Sequence, residues 1–101
     1  MTYQSKIQSE NTDALFDAIL TLKDKEECSR FFEDICTVKE IQSIAQRFQV
    51  VKLLVGKKTY NEIEKETGAS TATISRINRA LNYGADGYKL VLKRMKYLKD
   101  E

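Results

Sequence analysis

The sequence predicts an all-α protein of six helices, and three observations support this fold class. Apolar residues recur at spacings of three and four, which places them on one face of a helix. No segment alternates between apolar and polar residues over the length of a strand. The 101 residues include no proline to interrupt the helical patterns. Since this length fits one domain, we expect a flexible polar arm at residues 1–10 and a single helical domain at residues 11–101.

Apolar spacing predicts the first helix, and capping signals predict where the second and third helices begin. A first helix is expected over about residues 11–23. Asp24, with Glu27 three residues later, resembles a capping box, in which side chains accept hydrogen bonds from the unpaired N–H groups of a helix start. Thr37 and Glu40 repeat this signature. They predict a third, longer helix.

Glycines mark the ends of the third and fourth helices. Gly56 is expected to end the third helix, because glycine adopts the positive φ of a helix C-terminus without steric cost. Thr59 and Glu62 form another capping pair and predict a short helix over residues 60–67. That helix is expected to stop at Gly68.

The last two helices follow from one cap each. Ser70 predicts the start of a fifth helix, which continues to about Asn82. Asp86 is expected to cap the sixth. The apolar stripe of the sixth helix is formed by Tyr88, Val91, Leu92, Met95 and Leu98.

The segment over residues 59–82 predicts a helix-turn-helix, which needs two short helices joined at a steep angle by a tight turn. Gly68 suits the turn because it tolerates left-handed backbone angles, and Ala69 is small enough for the chain to pass closely. The side chains expected to fill the inside of the angle are Ile63, Ile74 and Ile77.

The second helix of this motif carries the candidate DNA contacts. Its outer face is expected to present Ser70, Thr71, Ala72, Ser75, Arg76 and Arg79. Hydroxyl groups can bond to base edges or phosphates, and arginine can bond to guanine through two hydrogen bonds. The residues expected to hold the flanking phosphates are Lys57, Lys58, Asn61 and Lys65. The pattern predicts insertion of residues 70–82 into the major groove of double-stranded DNA.

The charge distribution agrees with this placement. The net charge is only +2. Residues 1–50 contain six Lys and Arg against nine Asp and Glu, a net charge of −3, whereas residues 51–101 contain eleven against six, a net charge of +5. The second half is therefore the better candidate to face a polyanion.

The composition excludes several other classes of protein. The chain has no histidine, which removes histidine-dependent catalysis. Its two cysteines, Cys28 and Cys36, cannot form a standard zinc site alone and are expected to be reduced thiols. We expect no catalytic residues, no cofactor and no metal. A polar N-terminus and the lack of a long apolar run predict a cytoplasmic protein without membrane contact.

The stretch LLVGKKTYNEIEKETGASTATISRINRALN, above all GAS-TATISR, resembles the Trp repressor superfamily, and within it the YerC/YecD group of Trp-repressor-related proteins. The helical layout extends the resemblance over most of residues 12–100. The resemblance implies a six-helix protomer in an intertwined homodimer that places two recognition helices roughly 34–36 Å apart. It also implies a sequence-specific transcriptional regulator that acts as a repressor.

The same resemblance argues against tryptophan as the effector. Arg76 matches one of the two arginines that enclose the family's ligand, but Gln46 stands at the position of the other. Ile77 replaces a glycine and would occupy the indole slot, and Ala80 replaces a serine. The sequence leaves open whether another small molecule controls the protein. Glu64 stands where the family has a basic residue, and it could accept a hydrogen bond from a cytosine amino group.

One alternative remains open from the sequence. A weak net charge and Glu64 are also compatible with a dimeric protein-interaction module that keeps the fold without specific DNA binding. An enzyme is disfavoured, since the chain has no glycine-rich phosphate loop or paired-carboxylate site from which a reaction could be assembled.

Overall fold

Residues 3–99, the part of the chain that the computed structural model describes, contain six α-helices and no strand. The helices are α1 (Glu10–Ile19), α2 (Lys25–Ile35), α3 (Val38–Val55), α4 (Tyr60–Thr67), α5 (Thr71–Tyr83) and α6 (Gly87–Arg94). The predicted all-α class with six helices is confirmed. Expectations for residues 1–2 and 100–101 lie outside the described residues.

The two predicted caps in the first half of the chain have the expected hydrogen bonds. The Asp24 carboxylate accepts a bond from the Glu27 N–H at 2.9 Å. The Thr37 hydroxyl accepts one from the Glu40 N–H at 3.1 Å, and Glu40 in turn accepts one from the Thr37 N–H at 2.8 Å. These bonds satisfy backbone donors that have no partner inside the helix. The starts of α2 and α3 are therefore set by local sequence.

The bounds of α1 differ from the prediction at both ends. The helix begins one residue early because Ser9 and Thr12 cap it reciprocally, each side chain accepting a bond from the other's N–H at 3.1 and 2.9 Å. It ends at Ile19. The Leu20 N–H still bonds to the Phe16 carbonyl four residues back, but the Thr21 and Leu22 N–H groups bond to carbonyls only three residues back. The Thr21 hydroxyl also donates to the Ala18 carbonyl at 2.6 Å.

The end of α3 corrects the expectation for Gly56. The residue with positive φ is Lys57, at 65°. The Lys58 N–H reaches the Leu53 carbonyl and the Lys57 N–H reaches the Leu54 carbonyl, both at 3.1 Å. This pair of bonds is a Schellman motif, and it requires the left-handed residue one position beyond the glycine.

The last helix also departs from the prediction. Asp86 precedes α6, but its φ is 65° and its side chain accepts no capping bond. The helix stops at Arg94 because Lys96 is left-handed, with φ of 69°, and the Tyr97 N–H returns to the Leu92 carbonyl at 2.8 Å. Leu98 therefore lies outside the helix, although it still packs against the core.

The described chain divides into two compact units, of which the first ends at Ile41 and the second begins at Gln42. Among residues 3–99, all buried side chains lie in the second unit. They are Val50, Val51, Ile63, Ala69, Ile74, Ile77, Leu81 and Leu92. Helices α4, α5 and α6 and most of α3 thus share one apolar core.

The first unit has no buried residue between positions 3 and 41. Several of its large apolar side chains face solvent: Leu20 is 82% exposed, Ile35 51% and Phe16 44%. Phe31 and Phe32 contact each other edge to face, with their ring centres 5.5 Å apart. The apolar positions that give this unit its helical pattern are therefore half-buried or exposed, and none of them is buried.

Candidate nucleic-acid interface

Helices α4 and α5 form a helix-turn-helix whose turn depends on one glycine. Gly68 has φ of 75° and ψ of 3°, and its N–H bonds to the Glu64 carbonyl at 2.9 Å. A methyl group added at Gly68 would meet no atom within 4 Å. The turn requires glycine for its backbone angle and not for lack of space.

The start of α4 is capped reciprocally by two side chains. The Thr59 hydroxyl accepts a bond from the Glu62 N–H at 3.2 Å, and the Glu62 carboxylate accepts one from the Thr59 N–H at 2.9 Å. The bonds from the Thr59 backbone and side chain, followed by the charge of Lys58, hold the pKa of Glu62 below its ordinary value. In its charged form, the Glu62 carboxylate therefore stabilises the folded helix.

The inside of the angle between the helices is fully apolar. Ile63 and Ile74 are completely buried, and Ala69 and Ile77 are 4% and 5% exposed. These are the side chains that the sequence placed there. Because α5 buries this face, its opposite face is left to solvent.

A short hydrogen-bond chain braces the same turn from α3. The Gln46 amide donates to the Thr67 carbonyl at 3.0 Å. The Thr67 hydroxyl donates to the Ile63 carbonyl at 2.7 Å and accepts a bond from the Ala69 N–H at 3.1 Å. These bonds satisfy backbone groups that the turn would otherwise leave without partners.

All ten candidate DNA contacts are exposed. On α5 and its cap they are Ser70, Thr71, Ala72, Ser75, Arg76 and Arg79, and before or within α4 they are Lys57, Lys58, Asn61 and Lys65. The serine before α5 has a structural role as well. Its hydroxyl accepts a bond from the Thr73 N–H at 3.1 Å and donates to the Thr73 hydroxyl at 3.0 Å. Its one proton is therefore used within the helix cap.

The outer face of α5 extends further than the sequence indicated. An open groove of about 510 Å³ is lined by Ala72, Ser75, Arg76, Asn78, Arg79, Asn82 and Tyr83. Tyr83 is 86% exposed, and the Asn82 amide is bonded to the Asn78 carbonyl at 2.9 Å. Tyr83 was missed as a candidate although it follows Ser75 and Arg79 at helical spacing, which would have assigned it to the same face.

Glu64 is not turned away from the motif. It is half-buried on α4, and its carboxylate accepts a hydrogen bond from the hydroxyl of Thr71, the first residue of α5. The two residues are seven positions apart on opposite sides of the turn. This bond ties an acidic side chain directly to a candidate base-reading position.

A second cavity, of about 260 Å³, lies on another side of α5. It is lined by Arg47, Thr73, Arg76, Ile77, Ala80 and Tyr88. The second arginine of this cavity is Arg47, whereas Gln46, which the resemblance noted above matches to a ligand-binding arginine, is turned toward α4 by its bond to Thr67. Ile77 belongs to the core cluster and also forms part of the wall.

The comparison with known families agrees with this geometry. Residues 10–96 match the family described as Trp repressor protein. The chain belongs to the Trp repressor family. It is therefore placed in a family of DNA-binding regulators, as the resemblance implied.

Relatives of this chain in the Trp repressor family cover nearly its whole length. An uncharacterized protein YerC of Bacillus subtilis (strain 168) is 55% identical over 96 residues, which are 95% of this chain and 92% of YerC. The crystal structure of a candidate Trp repressor from Staphylococcus aureus matches with a TM-score of 0.87 at 53% identity, covering 94% of this chain and 95% of that one. The crystal structure of a TrpR-like protein from Eubacterium eligens ATCC 27750 matches with a TM-score of 0.88 at 53% identity, covering 94% of this chain and 98% of that one.

Other kinds of site have little support in residues 3–99. Over that range no helix is long and apolar enough to cross a membrane, and no cluster of three potential metal ligands occurs. Cys28 is exposed and Cys36 half-buried, and both are free thiols. The exposed face of α5 and the lysines around α4 remain the strongest candidate site.

Proposed function

We propose that the protein is a sequence-specific DNA-binding transcriptional regulator that acts as a cytoplasmic repressor by occupying an operator. The observation that carries this proposal is the division of α5 into two faces. Ile74, Ile77 and Leu81 are buried, while Arg76 and Arg79 stand exposed beside small and hydroxyl-bearing residues. A helix of this kind fits the major groove, where arginine and hydroxyl groups can bond to base edges.

The lysines near α4 would position the motif on the duplex. Lys57 and Lys58 lie in the loop before α4, and Asn61 and Lys65 lie on the helix itself. Exposed ammonium groups on flexible stems suit phosphate contacts, which fix orientation without reading sequence. Each phosphate contact also makes the affinity depend on salt.

The proposed regulator acts as a homodimer. The solvent-facing Leu20, Ile35 and Phe16 of the first unit support this proposal, since large apolar side chains at helical spacing are stable when a partner surface covers them. A second copy of this chain supplies such a surface. Two copies would present two α5 helices to successive turns of a pseudo-palindromic site.

Tryptophan is not the proposed effector. The cavity beside α5 is lined by Ile77, whose branched side chain occupies space that an indole would need, and only Arg76 is retained from the family's ligand positions. We expect calorimetry to give no saturable heat when tryptophan is added to the purified protein. A micromolar dissociation constant would contradict this expectation.

Selection of bound sequences from random duplex DNA tests the proposed function. The expected outcome is an enriched, two-fold symmetric site, whose affinity falls with salt on a log–log slope of about −0.9 per phosphate contact. Equal affinity for all duplexes with a steep salt dependence would leave only non-specific binding and overturn sequence-specific regulation. Binding to no duplex would favour a protein-interaction module instead.

A further inference from the structure

We infer that Glu64 is a positioning residue that makes Thr71 read an amino group in the major groove, on adenine N6 or cytosine N4. The inference rests on the proposed function, since it concerns how the same helix selects its site. It assigns Glu64 a role through Thr71. Direct contact between Glu64 and a base is not required.

The geometry begins with the position of the two side chains. Thr71 is the first residue of α5 and is exposed on the face offered to DNA, while Glu64 is half-buried in α4. The Thr71 hydroxyl donates its hydrogen bond to the Glu64 carboxylate. The bond crosses the turn at Gly68, so the hydroxyl is held in one orientation by the helix that packs behind it.

The chemistry of a hydroxyl then decides what Thr71 can recognise. A threonine hydroxyl has one proton and two lone pairs, and an ionised carboxylate only accepts hydrogen bonds. With its proton given to Glu64, Thr71 presents only lone pairs to a base. Adenine N6 and cytosine N4 carry donors in the major groove, whereas guanine O6 and thymine O4 are acceptors and would face lone pairs without a proton between them.

The surroundings of Glu64 explain why its carboxylate stays with Thr71. Among the described residues, the structure has an ion pair between Arg30 and Glu26 but none that involves Glu64. The Glu64 carboxylate therefore has no basic side chain within ion-pair distance in that part of the chain. The Ser70 hydroxyl donates to Thr73 and is not available to Glu64. A negative charge beside the first turn of α5 is also favoured by the helix dipole.

The same charge predicts a second property. A carboxylate near the DNA-facing surface repels phosphates, so it lowers affinity for every sequence while it sharpens the choice at one base pair. Removing both the charge and the acceptor of Glu64 should therefore strengthen binding to all duplexes and weaken discrimination at that position, whereas removing the charge alone should only strengthen binding. A purely structural residue would not produce this opposite pair of effects.

The test uses full-length variants with a matched control. E64M removes the acceptor at similar volume, E64Q keeps a carbonyl acceptor without the charge, and T71V removes the hydroxyl at similar shape. E66M is the control, because Glu66 is exposed on the same helix and makes no hydrogen bond to Thr71. Thermal melting of each variant first establishes that it is folded. Bound sequences are then selected from random duplex DNA for the wild type and for each variant. Dissociation constants are measured on duplexes that differ at one base pair.

The base pair read by Thr71 is the one at which T71V shows no preference. At that base pair we expect wild type, E64Q and E66M to prefer adenine or cytosine by about three- to tenfold, which is the range of one hydrogen bond. E64M should reduce that ratio to below about twofold. Adding E64M to T71V should leave the ratio of T71V unchanged, since both remove the same interaction.

Two results would overturn the inference, and they are distinguishable. In the first result, the wild type binds specifically, but E64M has the same base preferences as E66M at every position. This result would exclude Glu64 from base recognition and leave the proposed function intact. A wild type without preference for any duplex would overturn the proposed function and this inference together.

Discussion

Arg79 is the candidate DNA contact whose surroundings on α5 are simplest. It is exposed in the middle of the outer groove of α5, and it takes no part in the cavity that includes Arg76. Arg76 borders both spaces, so its replacement would change two surfaces at once. A planar guanidinium at such a position can bond to guanine or to phosphate through two parallel hydrogen bonds.

Arg79→Ala is expected to weaken binding to the selected site by about 1–3 kcal/mol without a change in melting temperature, because the side chain is exposed and leaves no cavity. Fluorescence anisotropy with a labelled duplex measures the affinity. Arg30→Ala is the matched control, since it removes an equal charge from an exposed position on α2. Equal affinity of both variants and wild type would exclude Arg79 as a contact.

Side-chain roles were the part of the site that sequence predicted only partly. Exposure of α5's outer residues follows from helical spacing, which is a local property. The bond between Glu64 and Thr71 joins residues on two helices, and the choice of Arg47 over Gln46 at the cavity depends on how α3 is rotated against α4 and α5. No local pattern carries that information.

The helix bounds show the same division between local and non-local signals. The caps at Asp24, Thr37, Thr59 and Ser70 were predictable because the cap and its N–H donor lie three residues apart. The C-terminal end of α3 was not, since its left-handed residue is a lysine and its position depends on which carbonyls the turning chain can reach.

Gly68→Ala is expected to destabilise the protein by about 1–2 kcal/mol, the energy of placing a side chain in left-handed backbone. Gly87→Ala provides the control. It starts α6, and a methyl group there also meets no atom within 4 Å, but its φ is not positive. That variant should be neutral or more stable by about 0.4–1 kcal/mol. Urea unfolding measures both, and equal effects would contradict the role of the Gly68 angle.

The cap of α4 predicts a pH dependence. The pKa of Glu62 is lowered from 4.5 in the folded protein, so its stabilising contribution is present above the unfolded value and is lost as pH falls through the folded one. At neutral pH the wild type should therefore have a higher melting temperature than Glu62→Ala. This difference in melting temperature should shrink as the pH is lowered past 4.5. A difference in melting temperature that stays constant over this range would exclude the charged cap.

The whole molecule divides its apolar residues unevenly. The second unit has a core that includes Ile63, Ile74 and Leu92, whereas the first has no buried residue among positions 3–41. A chain of 101 residues has difficulty covering so many large apolar side chains alone.

Sedimentation equilibrium at micromolar concentration is expected to give twice the mass of the 11.6 kDa chain. Leu20→Lys and Ile35→Lys, which place charges on exposed apolar positions, should shift the protein toward monomer and lower its melting temperature, because dimerisation and folding are coupled. A stable, folded wild-type monomer at that concentration would refute the dimer.

In the proposed complex, the outer face of α5 lies against DNA. The most direct measurement is a titration of ¹⁵N-labelled protein with its selected duplex, followed by amide chemical shifts. If α5 binds in the major groove, the largest shifts will occur between Thr71 and Arg79 and at the lysines beside α4. Shifts confined to the other helices, or none at saturating duplex, would contradict this binding mode.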